Sequence, residues 1–212
     1  MAPQPHNDVD AHAGDDHAHR VPGVSSWPTL PPRRICKSAG RRNTLARMGI
    51  AVVVGNPKPA SRTLSAAVMV AEKLGGAPPE IVVDVVELGA GLLGWGDPAV
   101  TAAVESVQKS QVVVVASPTF KATYTGLVKL FLDQIPTDGL AGVVAVPLML
   151  GAGPAHALAP ELLLKPVLVE LGATCPTKGL YLVDTSFDDP EAVEPWLTVA
   201  RPQVLASVGE AL

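Results

Sequence analysis

Three hydroxyls and a guanidinium crowd the segment 55–65, GNPKPASRTLS, where Ser61, Arg62, Thr63 and Ser65 fall at the start of an expected helix. A helix start presents free backbone N–H groups and the positive end of its dipole. Ser61, Thr63 and Ser65 add hydroxyl donors, Arg62 adds a charged fork, and Asn56 and Lys58 stand in the same turn. A helix cap would need Ser61 alone, so the full set points past capping to a phosphate. The GK[ST] of a Walker A loop is absent, which argues for a terminal phosphomonoester and against ATP with magnesium.

The segment 112–136, VVVVASPTFKATYTGLVKLFLDQIP, joins a bare apolar run to a hydroxyl-rich turn. Ser117 and Pro118 are expected to stop the strand, because proline has no N–H to donate to a ladder. Thr119, Thr123 and Thr125 then offer hydroxyls beside free amides, a setting for a polar ring edge. A third loop, Gly151-Ala152-Gly153-Pro154-Ala155-His156, has glycines that would let backbone amides approach a flat ligand closely. It is not the dinucleotide GxGxxG motif: His156 takes the last glycine's place, and the loop follows the fourth strand, not the first. His156 fits two roles, a side chain in the site or a helix-capping or core histidine.

Such loops act together only if a scaffold brings them to one edge. Apolar runs predict strands over 49–54, 81–88, 112–116, 143–150 and 180–183. Helical spacing predicts helices over 62–74 closed by Gly75, over 98–109, from Gly126 to Pro136, and over 160–171 closed by Gly172 with a kink at Pro166. A last helix starts from Asp189 and Pro190 and is expected to break at Pro202. Strands alternating with helices make a three-layer α/β sandwich around a parallel sheet, and right-handed crossovers give the strand order 2-1-3-4-5. The switch point lies between strands one and three, so the loops after strands one, three and four converge on one crevice. The helix from Gly126 has two apolar faces, one for the sheet and one for another subunit.

Composition divides the chain near Met48. Residues 1–47 hold 7 Lys+Arg and 4 Asp+Glu, scattered prolines and no apolar period, and read as a disordered extension. His6, His12, His17 and His19 lie there among Asp8, Asp10, Asp15 and Asp16, without the fixed spacing of a metal site, and read as a solvated leader. MGIAVVVG at Met48 also suits a translation start. The remainder, 48–212, holds 9 basic and 16 acidic residues, a balance that disfavours nucleic acid. No signal peptide is visible, and the charge-free stretch 139–160 is too rich in glycine and proline to span a membrane. With only Cys36 and Cys175 and no CxxC, neither a disulfide framework nor a zinc site is expected, and a reducing cytoplasm is the simplest location.

In this order, the segments 55–65, 117–129 and 151–156 resemble the NAD(P)H-dependent FMN reductase family, of flavodoxin-like fold. Within it, PTFKATYTGLVKLFLDQIP and PLMLGAGPAHALAPELLLKPVLVELGA are most similar to the flavin reductases of two-component alkanesulfonate monooxygenase systems. The resemblance implies an FMN phosphate on Ser61, Arg62, Thr63 and Ser65, with Asn56 and Lys58 in the same loop. It implies that Pro118, Thr119, Phe120 and Lys121 line the ribityl and ring region, and that Gly151 and Gly153 approach the isoalloxazine edge near His156. It places Tyr124 in a π-bulged helix at a subunit interface, at a position linked to handing on reduced flavin. Phe120 stands where the family usually has tyrosine, Lys58 where arginine is common, and Gly153 where a hydroxyl residue is usual.

The activity implied is hydride transfer from NADPH or NADH to FMN, aligned by main-chain groups with no catalytic side chain and no metal. A flavin-dependent monooxygenase is the implied recipient, and a homodimer or homotetramer the implied assembly. Two alternatives stand beside it: a flavodoxin-like electron carrier, with Trp95 as the candidate ring cover, and a reductase of quinones or azo dyes that holds FMN tightly.

Overall fold

Runs of β-branched residues build the centre of the molecule, a computed structural model that describes residues 48–210. The N-terminal extension, with its histidines and Cys36, lies outside the described residues. The strands are β1 (Ile50–Val54), β2 (Ile81–Asp84), β3 (Val112–Pro118), β4 (Val144–Gly151) and β5 (Leu180–Val183). All pair in parallel in the order β2-β1-β3-β4-β5, as the crossover argument expects. Every residue of β1, β3 and β4 is buried.

The pleat sends alternate side chains to opposite faces. Ala51, Val53, Val113, Val115, Ala145 and Met149 form a core with α2 (Pro98–Gln108), α3 (Gly126–Leu132) and α4 (Lys165–Glu170). Ile50, Val52, Val112, Val114, Val146 and Leu148 form a second core with α1 (Arg62–Gly75) and α5 (Pro190–Glu210). The result is a three-layer sandwich.

Several boundaries differ from expectation. α3 ends at Leu132, short of Pro136, because the Gln134 and Ile135 N–H groups bond three residues back, to Phe131 and Leu132, and tighten the chain out of the α-helix. β2 stops at Asp84 and not at Leu88, because β1 leaves the sheet after Val54 and removes its ladder partner; 3-10 turns follow over Val85–Leu93. β3 runs through Ser117 and Pro118, which pair with Met149 and Leu150. The Thr119 N–H donates towards β4, to the Leu150 carbonyl at 2.6 Å, so the missing N–H of Pro118 falls on the opposite side, where β1 has already ended. α1 is closed by Gly76, in a left-handed conformation at φ 73°, rather than by Gly75.

The region of Pro166 is not a kinked α-helix. A π-helical turn, Pro160–Leu164, precedes α4, and the Lys165 N–H reaches back to the Pro160 carbonyl. α5 continues through both Pro195 and Pro202. A helix-interior proline costs about 3 kcal/mol, but burial of Val193, Leu197 and Val204 contributes roughly 1.5–3 kcal/mol each. Both prolines lie on the exposed side of the helix, so the carbonyls they leave without an N–H partner are not sealed in the core. Asp189 starts this helix as expected, its Oδ1 accepting from the Glu191 N–H at 2.9 Å.

Candidate active site

The loop after β1 is tied down from two directions before it can meet a ligand. The Asn56 Oδ1 accepts from the Lys58 N–H at 2.9 Å, and its Nδ2 donates to Thr63 Oγ1 at 3.0 Å, closing the turn on itself. Ser61 is the N-cap of α1, accepting from the Leu64 N–H at 3.2 Å. From the end of β2, Asp84 Oδ2 accepts from the Ala60 N–H at 3.2 Å and holds Ala60 at φ 48°. Burial raises the Asp84 pKa, with the nearby Glu87 adding to the effect and hydrogen bonds from the Ala60 and Val86 amides opposing it.

With Ser61 as cap, the Arg62 and Thr63 N–H groups are the first two of α1 and have no acceptor within the helix. They sit beside the Ser61 and Thr63 hydroxyls, and Lys58 and Arg62 line the same cavity, about 280 Å³ in volume. Asn56, Pro118, Thr119, Phe120 and Gly151 complete the wall together with Ala152 and Asp184. An adjoining cavity of about 610 Å³ shares Thr119, Gly151 and Ala152 and adds Gly153, His156 and Tyr181. These two spaces form one cleft over the carboxyl ends of β1, β3, β4 and β5, at the switch point.

The hydroxyls of the second loop divide between structure and site. Thr125 caps α3 and donates to the Gly55 carbonyl, and Ser117 Oγ accepts from the Thr125 N–H at 2.9 Å, so both are occupied in holding α3 against the first loop. Thr123 exchanges backbone bonds with Phe120 at 2.9 and 3.2 Å, closing a tight turn whose central residues, Lys121 and Ala122, stand at φ 51° and 69°. Left-handed backbone costs a non-glycine residue roughly 1–2 kcal/mol. This strained turn sets the half-exposed Phe120 ring on the cleft wall. Thr119 Oγ1 is buried and without a partner among the described residues.

The two glycines of the third loop differ. A Cβ on Gly151 would lie 1.9 Å from the Tyr181 hydroxyl, so that direction belongs to Tyr181, while the Gly151 backbone lines both cavities. That hydroxyl donates to the Gly153 carbonyl at 2.7 Å and pins the loop. Gly153 is extended, and nothing within 4 Å would meet a Cβ there. His156 ends a short 3-10 turn, exposed at the cleft, and is neither a core nor a capping residue.

Three expected site residues stand outside both cavities. The Ser65 hydroxyl folds back on the Ser61 carbonyl of its own helix at 3.4 Å. Lys121 is exposed at the tip of the tight turn. Tyr124 packs partly buried against the core, and it precedes α3 in non-helical backbone rather than lying in a π-bulge; the π-helical turn is at Pro160–Leu164. Conversely, Asp84, Tyr181 and Asp184 come to the site from β2 and β5, whose loops carry no cluster of hydroxyls or glycines to mark them. An acid directly after an apolar run was the available signal for both aspartates.

The donor set fits FMN: unpaired amides, hydroxyls and two cations at one end suit its phosphate, and an orphaned hydroxyl and an open glycine at the other suit its ring. The comparisons with known proteins agree with the geometry. Residues 48–188 match the model of a family described as NADPH-dependent FMN reductase. An FMN reductase (NADPH) of Escherichia coli is 32% identical over 146 residues, covering 67% of this chain and 76% of that protein. An NADH-dependent FMN reductase of Pseudomonas putida, SfnF, is 32% identical over 91 residues, which span 43% of this chain and 49% of that protein. Among solved structures, the apo form of an NADH:FMN oxidoreductase, EMOB, superposes with a TM-score of 0.66 at 26% identity over 76% of this chain and 88% of its own. A flavodoxin-like sheet, a cleft suited to FMN and these matches lead to one assignment: the chain belongs to the NADPH-dependent FMN reductase family.

Proposed function

We propose that the cleft seats FMN with its phosphate on the Arg62 and Thr63 amides, the Ser61 and Thr63 hydroxyls, Lys58 and Arg62, and that NADPH or NADH enters over Gly153 and His156. Bound FMN supplies the acceptor for a nicotinamide hydride. The protein orients, through Thr119, Phe120 and the loop fixed by Tyr181, and contributes no acid or base. The observation that carries this reading is the convergence of two helix-start amides, unpaired among the described residues, and two cations on one small cavity that shares Thr119, Gly151 and Ala152 with a larger one.

Cys175, a free thiol with no disulfide partner among the described residues, suits a reducing cytoplasm. Exposed Leu158, Leu162 and Leu163 beside the cleft support assembly as a homodimer or homotetramer. A flavin-dependent monooxygenase is the recipient we favour for the reduced flavin. The electron-carrier reading gains nothing from Trp95, which lies exposed in a depression with Leu93 and Leu130, apart from the cleft. Mixing the protein with NADPH and FMN tests the choice. Loss of nicotinamide absorbance only when FMN is added supports the reductase; a yellow protein that leaves NADPH unchanged supports the carrier.

A further inference from the structure

The phosphate end of the cleft carries an acid among its cations. Asp184 directly follows β5, and its N–H donates to the Gly151 carbonyl at 2.9 Å, so its backbone is fixed to the third loop. Its carboxylate meets Arg62, Nη2 to Oδ2 at 3.1 Å, and its own carbonyl accepts from Nη1 at 3.3 Å. Asp184 lines the same small cavity as Lys58, Ser61 and Thr63. It is the more buried partner, with 28% of its side chain exposed against 61% for Arg62.

A guanidinium offers five N–H donors in a rigid fork, and two of its nitrogens are directed at Asp184. A phosphate entering this cavity must displace Asp184 from the fork or share it. A phosphomonoester carries a charge of about −1.5 to −2 near neutral pH, so an unmoved carboxylate also repels it at close range. Lys58 remains as a flexible point charge that fixes no orientation.

We infer that Asp184 is an internal competitor for the phosphate site, lowering the affinity for FMN so that the flavin exchanges, and narrowing the preference for FMN over a flavin without phosphate. This inference rests on the FMN-phosphate reading of the cleft given above. It assigns a releasing role to a residue at the end of β5.

The test is Asp184→Asn in the full chain, compared with the unmodified protein for FMN and for riboflavin at one ionic strength. Asparagine keeps an oxygen for Arg62 and removes the charge, exchanging one acceptor oxygen for an NH2 donor. The expected result is an FMN dissociation constant lower by about 10-fold, with slower FMN release and a riboflavin constant changed by less than about 2-fold, the scale of a lost close-range charge repulsion. Parallel shifts for both flavins, or weaker FMN binding, overturn the inference. Arg62→Ala separates the two readings. If it leaves the FMN-to-riboflavin ratio unchanged, the phosphate assignment itself fails. If it lowers that ratio while Asp184→Asn does not raise it, only the role of Asp184 fails.

Discussion

Arg62 and Asp184, 122 positions apart in the chain, meet at 3.1 Å and join the start of α1 to the end of β5. Asp84 reaches the same loop from the end of β2. Acids at both outer strands thus hold the segment on which the phosphate is proposed to rest.

Because the Arg62 guanidinium is largely exposed and shared with Asp184, its contribution to FMN binding falls below that of a buried charged hydrogen bond. Arg62→Ala is expected to weaken FMN by about 1–2 kcal/mol and to spare riboflavin. Fluorescence titration with both flavins reads the difference directly.

The glycines of the third loop differ in what they tolerate. Gly151→Ala drives a methyl into the Tyr181 hydroxyl and should displace that ring, lowering thermal stability and flavin affinity together. Tyr181→Phe removes the bond to Gly153 and should cost about 1 kcal/mol, while relieving part of the Gly151→Ala defect in the double variant. Gly153→Ala meets open space and should leave the melting temperature unchanged. Differential scanning calorimetry of the four variants checks the pattern.

Lys121 and Ala122 occupy the two left-handed positions of a hairpin turn that favours Asn-Gly. Replacing them by that pair should stabilise the fold by roughly 1 kcal/mol in denaturant unfolding. Loss of stability instead would mean that the turn is not strained.

Two carboxylates predict opposite pH effects. Burial works to raise the Glu161 pKa, but hydrogen bonds from Lys165 and the Gly179 N–H outweigh it, and the net shift is downward from 4.5. Its stabilisation is therefore present above the unfolded pKa and lost as pH falls through the folded one, so Glu161→Gln should flatten the acid limb of a stability profile. Asp84 is raised above 3.8 by burial, so its contribution is full below the unfolded pKa and lost as pH rises through the folded value. Asp84→Asn keeps an acceptor for Ala60 and should be more stable than the parent near neutral pH, with the gain vanishing in acid.

Burial pushes the Cys175 thiol up to about 11, the opposing effect of Lys165 being smaller. The thiolate is the reactive form. Peptide mapping after alkylation near pH 8 should find Cys175 unmodified in the native protein and modified once it is unfolded.

β1, β3 and β4 were legible because runs of valine and leucine buried on both faces leave few alternatives, and their crossovers then dictate the strand order. The extent of β2 was not, since an edge strand ends where its neighbour ends, and nothing near Asp84 records that β1 stops at Val54. Pro118 misled because its effect depends on which side of the ladder its nitrogen faces. Pro202 misled because the cost of one proline is outweighed by side chains that only the tertiary packing places. Most residues lining the candidate site are legible in loop chemistry, but Tyr181 enters through the pairing of Gly151 with Val183, and Asp184 follows that register. Thr123 and Thr125 read in sequence only as hydroxyls beside free amides, because their spacing gives no sign that one closes a turn and the other caps α3.

Calorimetric titration of the purified chain with FMN tests the central claim most directly. A single saturable site, with riboflavin bound more weakly, is the predicted result. An absence of saturable heat with FMN would contradict the account.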